Sequence, residues 1–195
     1  MQKFKTYRAI SFITLVLSFA TMLLPLWLPE NNFNIIRIIA MIAGVLIFIC
    51  YALLISVLNF YKEPLWKKFA VWFFIIGFIF FNSFLVLVVV RYTTIKFMSF
   101  FLLLFYLPFI VAFVTIKQKG ISALAQSFAY TLLIACLMRL AIPFVRNLIS
   151  LSRYSEILNI VVRLPLVFIV LIFHKMIAVS KNNSDETPES EYDLL

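Results

Sequence analysis

Apolar residues arrive along this chain in blocks of about twenty, separated by short polar connectors, and not at the three- to four-residue intervals of a soluble amphipathic helix. Six blocks run Ala9–Leu28, Ile38–Leu58, Phe69–Val90, Met98–Ile116, Ile121–Ile142 and Ile157–Val179. At about 1.5 Å of rise per residue each can cover the roughly 30 Å hydrocarbon core of a bilayer. The β-branched and aromatic residues that crowd Phe69–Val90 would favour strands in water. In lipid an unpaired backbone amide is too costly, and the blocks are about twice as long as barrel strands and lack their alternation. The pattern therefore predicts an all-α, polytopic integral membrane protein: a compact bundle of about six transmembrane helices over residues 1–180, then a short acidic tail over 181–195. The connectors Pro29–Asn32, Tyr61–Lys68 and Lys117–Gly120 are short enough to join antiparallel neighbours.

Composition sharpens this picture. The 195 residues are 65% hydrophobic with a mean hydropathy of +1.09, which excludes an ordinary water-soluble domain. The spans occupy most of the chain and leave no room for a separate catalytic domain. Five of the eight acidic residues fall in the final segment, whose few apolar groups predict a disordered cytoplasmic tail. The first block follows Lys3, Lys5 and Arg8 like the start of a signal peptide. Its apolar run is longer than a signal core, and Pro25 precedes Leu26 and Trp27 instead of small residues, so a retained signal-anchor helix is expected. Cys50 and Cys136 sit inside apolar blocks as small hydrophobes.

The formal net charge is +9, and the basic residues are dispersed between the spans. Anionic lipid headgroups, not nucleic acid, are the partner such a distribution fits. If the amino terminus lies inside and the spans alternate, Lys3, Lys5, Arg8, Lys62, Lys67, Lys68, Lys117, Lys119, Lys175 and Lys181 also lie inside. Both termini are then expected inside. Every lysine except Lys96 falls on that side, and every arginine except Arg8 falls on the other.

Candidate chemistry is sparse. His174 is the only histidine, the acids outside the tail are Glu30, Glu63 and Glu156, and three glycines cannot build a phosphate-cradling loop. No catalytic set, metal site or cofactor is expected. Ala40 with Gly44, and Ala125 with Ala129, have the four-residue spacing of close helix packing. Gly77, among phenylalanines, reads as room for a neighbouring ring. Pro108 removes a backbone donor inside the fourth span and predicts a kink. Asn82, at mid-depth in the third span, needs a polar contact inside the bundle, with Gln126, Tyr51, Tyr106 and Tyr130 as candidates.

The arginines carry the most information. Arg139, Arg146 and Arg153 recur every seven residues and so share one helical sector, with Arg146 at about 340° and Arg153 at about 320° from Arg139. Leu140, Phe144 and Leu148 fall at about 100° to 180°, which makes a basic-faced amphipathic segment, bent by Pro143. Arg163 lies roughly 9 Å into the last span, where it must snorkel or find a partner such as Glu156 or Asn159. These four arginines are the expected lipid- or anion-binding residues.

Three functions compete on this basis. The first is a non-enzymatic membrane component acting through association with anionic lipid or another integral membrane protein. The second is a small carrier or channel for an anion or anionic amphiphile, using the arginines as positive potential. The third is a membrane enzyme acting on a lipid phosphate, which the scarcity of carboxylates disfavours. A polar cavity lined by at least two of the arginines would favour the second, and a packed interior with rim arginines the first.

Overall fold

The computed structural model describes the backbone of residues 2–27, 33–87, 92–118, 120–145, 157–158 and 160–185, and side chains over 2–23, 35, 38–80, 103–118, 120–138, 140–141, 157–158 and 160–182. Among the described residues six α-helices form the bundle: α1 (Gln2–Trp27), α2 (Phe33–Phe60), α3 (Leu65–Leu87), α4 (Tyr92–Val114), α5 (Ser122–Val145) and α6 (Leu164–Asp185). Each packs on its neighbours in sequence, α6 closes the ring against α1, and α2 reaches across to α6. Among the described residues three stretches are long and apolar enough to cross a membrane, Gln2–Leu23, Ile38–Phe60 and Leu164–Asn182. Leu103–Val114 and Ser122–Met138 are shorter apolar helical stretches.

Successive helices run antiparallel, as their contacts demonstrate. The ring of Phe4, in the first turn of α1, lies 5.6 Å from that of Phe60 at the end of α2. Lys67, at the start of α3, donates to the carbonyl of Thr115 after α4, and Gly120 before α5 faces the Lys175 side chain of α6. The start of α1, both of these connectors and the last turns of α6 therefore share one end of the bundle.

Several boundaries differ from the apolar blocks. Helix α1 begins at Gln2 instead of Ala9, because long basic side chains can leave the helix surface for water without breaking it. Helix α3 begins at Leu65 instead of Phe69, directly after Pro64, whose carbonyl accepts from the Lys67 amide at 3.1 Å. Helix α6 continues past Lys181 to Asp185, and residues 186–195 of the acidic segment lie outside the described residues. The end of α2 is a left-handed cap: Lys62 has φ of 52°, Glu63 N–H donates to Leu58 O at 2.9 Å and Lys62 N–H to Asn59 O at 3.1 Å. Glycine is the usual residue there, and lysine costs about 1 kcal/mol in backbone strain. Tyr61, just before it, has a buried hydroxyl with no hydrogen-bond partner among the described residues, and burial pushes its phenol pKa up.

Aromatic rings fill the space between α2, α3, α4 and α5. Tyr51 of α2 meets Phe74 of α3 at 5.1 Å and Phe109 of α4 at 5.8 Å, while Phe74 stacks on Phe109 at 4.4 Å and 7°. Phe128 of α5 closes on Phe109 at 5.7 Å and on Phe113 at 5.1 Å, both edge-to-face. Such pairs contribute about 0.5–1.5 kcal/mol each beyond the area they bury. Ala125 and Ala129 are buried beside them, as their spacing predicts. For Ala40 and Gly44 no such packing is present among the described residues: a Cβ at Gly44 would meet none of them within 4 Å, and Ala40 is exposed. Spacing alone does not say which face of α2 turns inward. Gly77, by contrast, lies against the ring of Phe105.

Pro108 sits within an α4 that stays helical on both sides of it. Gln126 is half-buried in α5. Asn82 belongs to α3, with its side chain outside the described residues.

Candidate functional site

The inward face of α1 is polar. Phe4, Tyr7, Ser11, Thr14, Ser18 and Thr21 recur at alternating three- and four-residue steps, which keeps them on one side of a helix. Ser11, Thr14 and Ser18 are buried, at 1%, 0% and 4% exposure. Their small side chains let α1 approach α2 and α6 closely, and hydroxyls in such a place need acceptors. Ser11 Oγ donates to Tyr7 O at 2.9 Å, Thr14 Oγ1 to Ile10 O at 2.8 Å and Thr21 Oγ1 to Ser18 O at 2.7 Å. The Cys50 thiol of α2 donates to Thr14 Oγ1 at 3.3 Å and ties the second helix to the same seam.

Two cation contacts bracket the α1–α6 junction. Arg163, half-buried just before α6, donates from Nε to Ser18 O at 2.7 Å and from Nη2 to Thr21 Oγ1 at 3.3 Å. These partners come from the first helix; Glu156 and Asn159, the neighbours expected to meet Arg163, lie outside the described residues. Eleven residues along, roughly 16 Å toward the other end, His174 Nδ1 lies 3.1 Å from Arg8 Nη1. A guanidinium only donates, so in this contact the imidazole nitrogen is the acceptor.

A third cation was hidden by its place in a polar connector. Lys67 is 3% exposed; its ammonium pairs with Glu63 at 2.8 Å and donates to Thr115 O at 3.2 Å. Thr115 O directly follows α4, at the helix's C-terminal end, where a positive charge is favoured. Lys67 thus joins the α2–α3 connector to α4 and belongs to the architecture of this end, not to a free basic surface.

Of the four arginines singled out from the sequence, Arg163 is the one whose side chain is described. Arg139 belongs to α5 with its side chain outside the described residues, and Arg146 and Arg153 lie outside them entirely. The α1 seam was legible in principle, since the step pattern of Tyr7, Ser11, Thr14, Ser18 and Thr21 is regular. Serine and threonine hardly dent a block's average hydropathy, so the seam is invisible in the apolar blocks themselves.

Chemically, the seam offers guanidinium and hydroxyl groups, and Glu30 and Glu156 lie outside the described residues. Among the described residues no group of three or more His, Cys, Asp or Glu side chains could hold a metal ion. The arrangement is suited to holding an anion or locking helices together. Comparison with protein-family models, with curated proteins and with solved structures finds no match to this chain.

Proposed function

We propose that this chain is a six-span membrane protein with both termini on the inner side, which works by association with anionic lipid or with another integral membrane protein. The observation that supports it is the contrast between the ring-packed interior of α2–α5 and the exposed cations at one end, Lys3, Lys5, Arg8, Lys62, Lys117 and Lys175. Helix length supports six spans: from 22 residues in α6 to 28 in α2, every helix is about 33 Å or longer. In a bilayer the cations would stand at headgroup level, each contributing on the order of 1 kcal/mol toward an anionic leaflet.

The topology has a direct test. Lys3→Cys and Asp185→Cys should react with an impermeant maleimide from the same side of sealed vesicles, over a low background because Cys50 and Cys136 are buried. Labelling from opposite sides would rule out an even number of spans.

The arginine segment supplies the functional test. Solubilised wild type should retain phosphatidylglycerol in preference to phosphatidylcholine, with a preference that falls as salt rises. R139Q/R146Q/R153Q should lower that preference on the order of tenfold to a hundredfold at low salt. An unchanged preference and salt slope in the triple variant would remove the segment from the lipid-binding role.

A second reading, a carrier for an anion or anionic amphiphile, is favoured by the α1 hydroxyl seam and the Arg163 contact within the helix ring. It requires saturable anion uptake into proteoliposomes that Arg163→Gln abolishes. Uptake equal to that of empty liposomes would reject it.

A further inference from the structure

Between α1 and α6, at the cation-rich end, lies an open groove of about 420 Å³ lined by Arg8, Ala9, Phe12 and Val170. We infer that this groove is an anionic-phospholipid site, in which Arg8 holds the phosphodiester and Phe12 and Val170 flank one acyl chain. The volume lies within the roughly 300–1,000 Å³ range of small-molecule sites.

Both walls run from polar to apolar in the same direction. On α1, Lys5 and Arg8 stand nearer the end of the bundle and Phe12, 56% exposed, lies one turn deeper on the same face. On α6, His174 meets Arg8, and Val170 lies one turn deeper beneath it. A ligand satisfying both walls has an anionic head toward the end and an apolar chain toward the middle, which is the polarity of a phospholipid in a leaflet.

Arg8 is prepared for a phosphate. Its guanidinium is exposed and oriented by the His174 contact, and no described carboxylate pairs with it. The carboxylate described beside the neighbouring connector, Glu63, is engaged by Lys67. Two guanidinium N–H groups can therefore meet two phosphate oxygens as a fork. Lys5 and Lys175, exposed at the same rim, add positive potential. A soluble anion would use Arg8 and leave both apolar walls wet, so the groove as a whole favours the amphiphile.

The inference rests on the chain being embedded in a bilayer, and none of the groove's lining residues belongs to the arginine segment. The experiment is native mass spectrometry of the full chain in detergent, titrated separately with phosphatidylglycerol and phosphatidylcholine, and with inorganic phosphate as competitor. The variants are R8Q, A9W and R139Q/R146Q/R153Q. Arg8 and Ala9 are both exposed, so R8Q and A9W keep the fold, which an unchanged melting temperature verifies. Beyond any lipid lost with the arginine segment, one phosphatidylglycerol should persist in the triple variant, and R8Q and A9W should each weaken this last-retained lipid about tenfold. Phosphate at equal concentration should not displace it. Wild-type affinity in both R8Q and A9W would overturn the site, whatever the triple variant shows. Displacement by phosphate together with an unaffected A9W would also overturn it, reducing Arg8 to a simple anion contact. Loss in the triple variant alone would leave the broader lipid reading standing and place the lipid elsewhere.

Discussion

Replacing Lys67 by methionine should destabilise the solubilised protein by about 3 kcal/mol, the cost of stranding one member of a buried ion pair. The variant keeps a side chain of similar length and removes the ammonium. Glu63 then loses its 2.8 Å partner in a nearly closed environment, and Thr115 O loses a donor at the end of α4. Much of this cost arises from the unpaired carboxylate, so E63L/K67M should recover part of it. A double-mutant cycle in thermal or denaturant unfolding measures the coupling. If K67M melts within a degree of wild type, or if E63L/K67M is as unstable as the sum of the single variants, the pair does not hold this end of the bundle together.

The same lysine marks the boundary of what the sequence could tell. Block length and the cost of bare amides in lipid suffice for helices, and the described residues form six of them in an antiparallel ring. Connector lengths made neighbouring helices adjacent. The closure of α6 on α1 was not written in any connector, because it depends on which face of each helix turns inward. That face was encoded in α1 by hydroxyls instead of hydrophobic contrast. Lys67 looked like one more charge in a loop because the start of α3 at Leu65 and the reach to Thr115 are set by tertiary structure. Arg163 was expected to snorkel or to meet Glu156 or Asn159, both outside the described residues, and it also reaches a helix 142 residues earlier in sequence, which no local spacing encodes. Ala40 and Gly44 meet no close neighbour among the described residues, since small residues permit close approach without requiring it.

Two glycines on neighbouring helices should respond to the same substitution with opposite signs. In a helix interior, glycine to alanine gains up to about 1 kcal/mol from backbone entropy when the methyl has room. Gly44→Ala should show this gain, because nothing stands within 4 Å of the added Cβ. Gly77→Ala should instead lose about 1–3 kcal/mol, as overpacked cores do. Its Cβ would overlap the body of the Phe105 ring, and that ring is held by Phe73 at 4.8 Å, so yielding at one contact disturbs the other. Gly77→Val should cost more than Gly77→Ala. Phe105→Leu removes the planar obstacle, so G77A/F105L should be more stable than the sum of the single changes predicts, by 1 kcal/mol or more on the scale of coupled neighbours. Unfolding measured at two protein concentrations separates the Gly44 effect from self-association, since a stabilised monomer melts independently of concentration. A stabilising Gly77→Ala, or additive behaviour of Gly77 and Phe105, would mean that α3 and α4 do not pack through this contact.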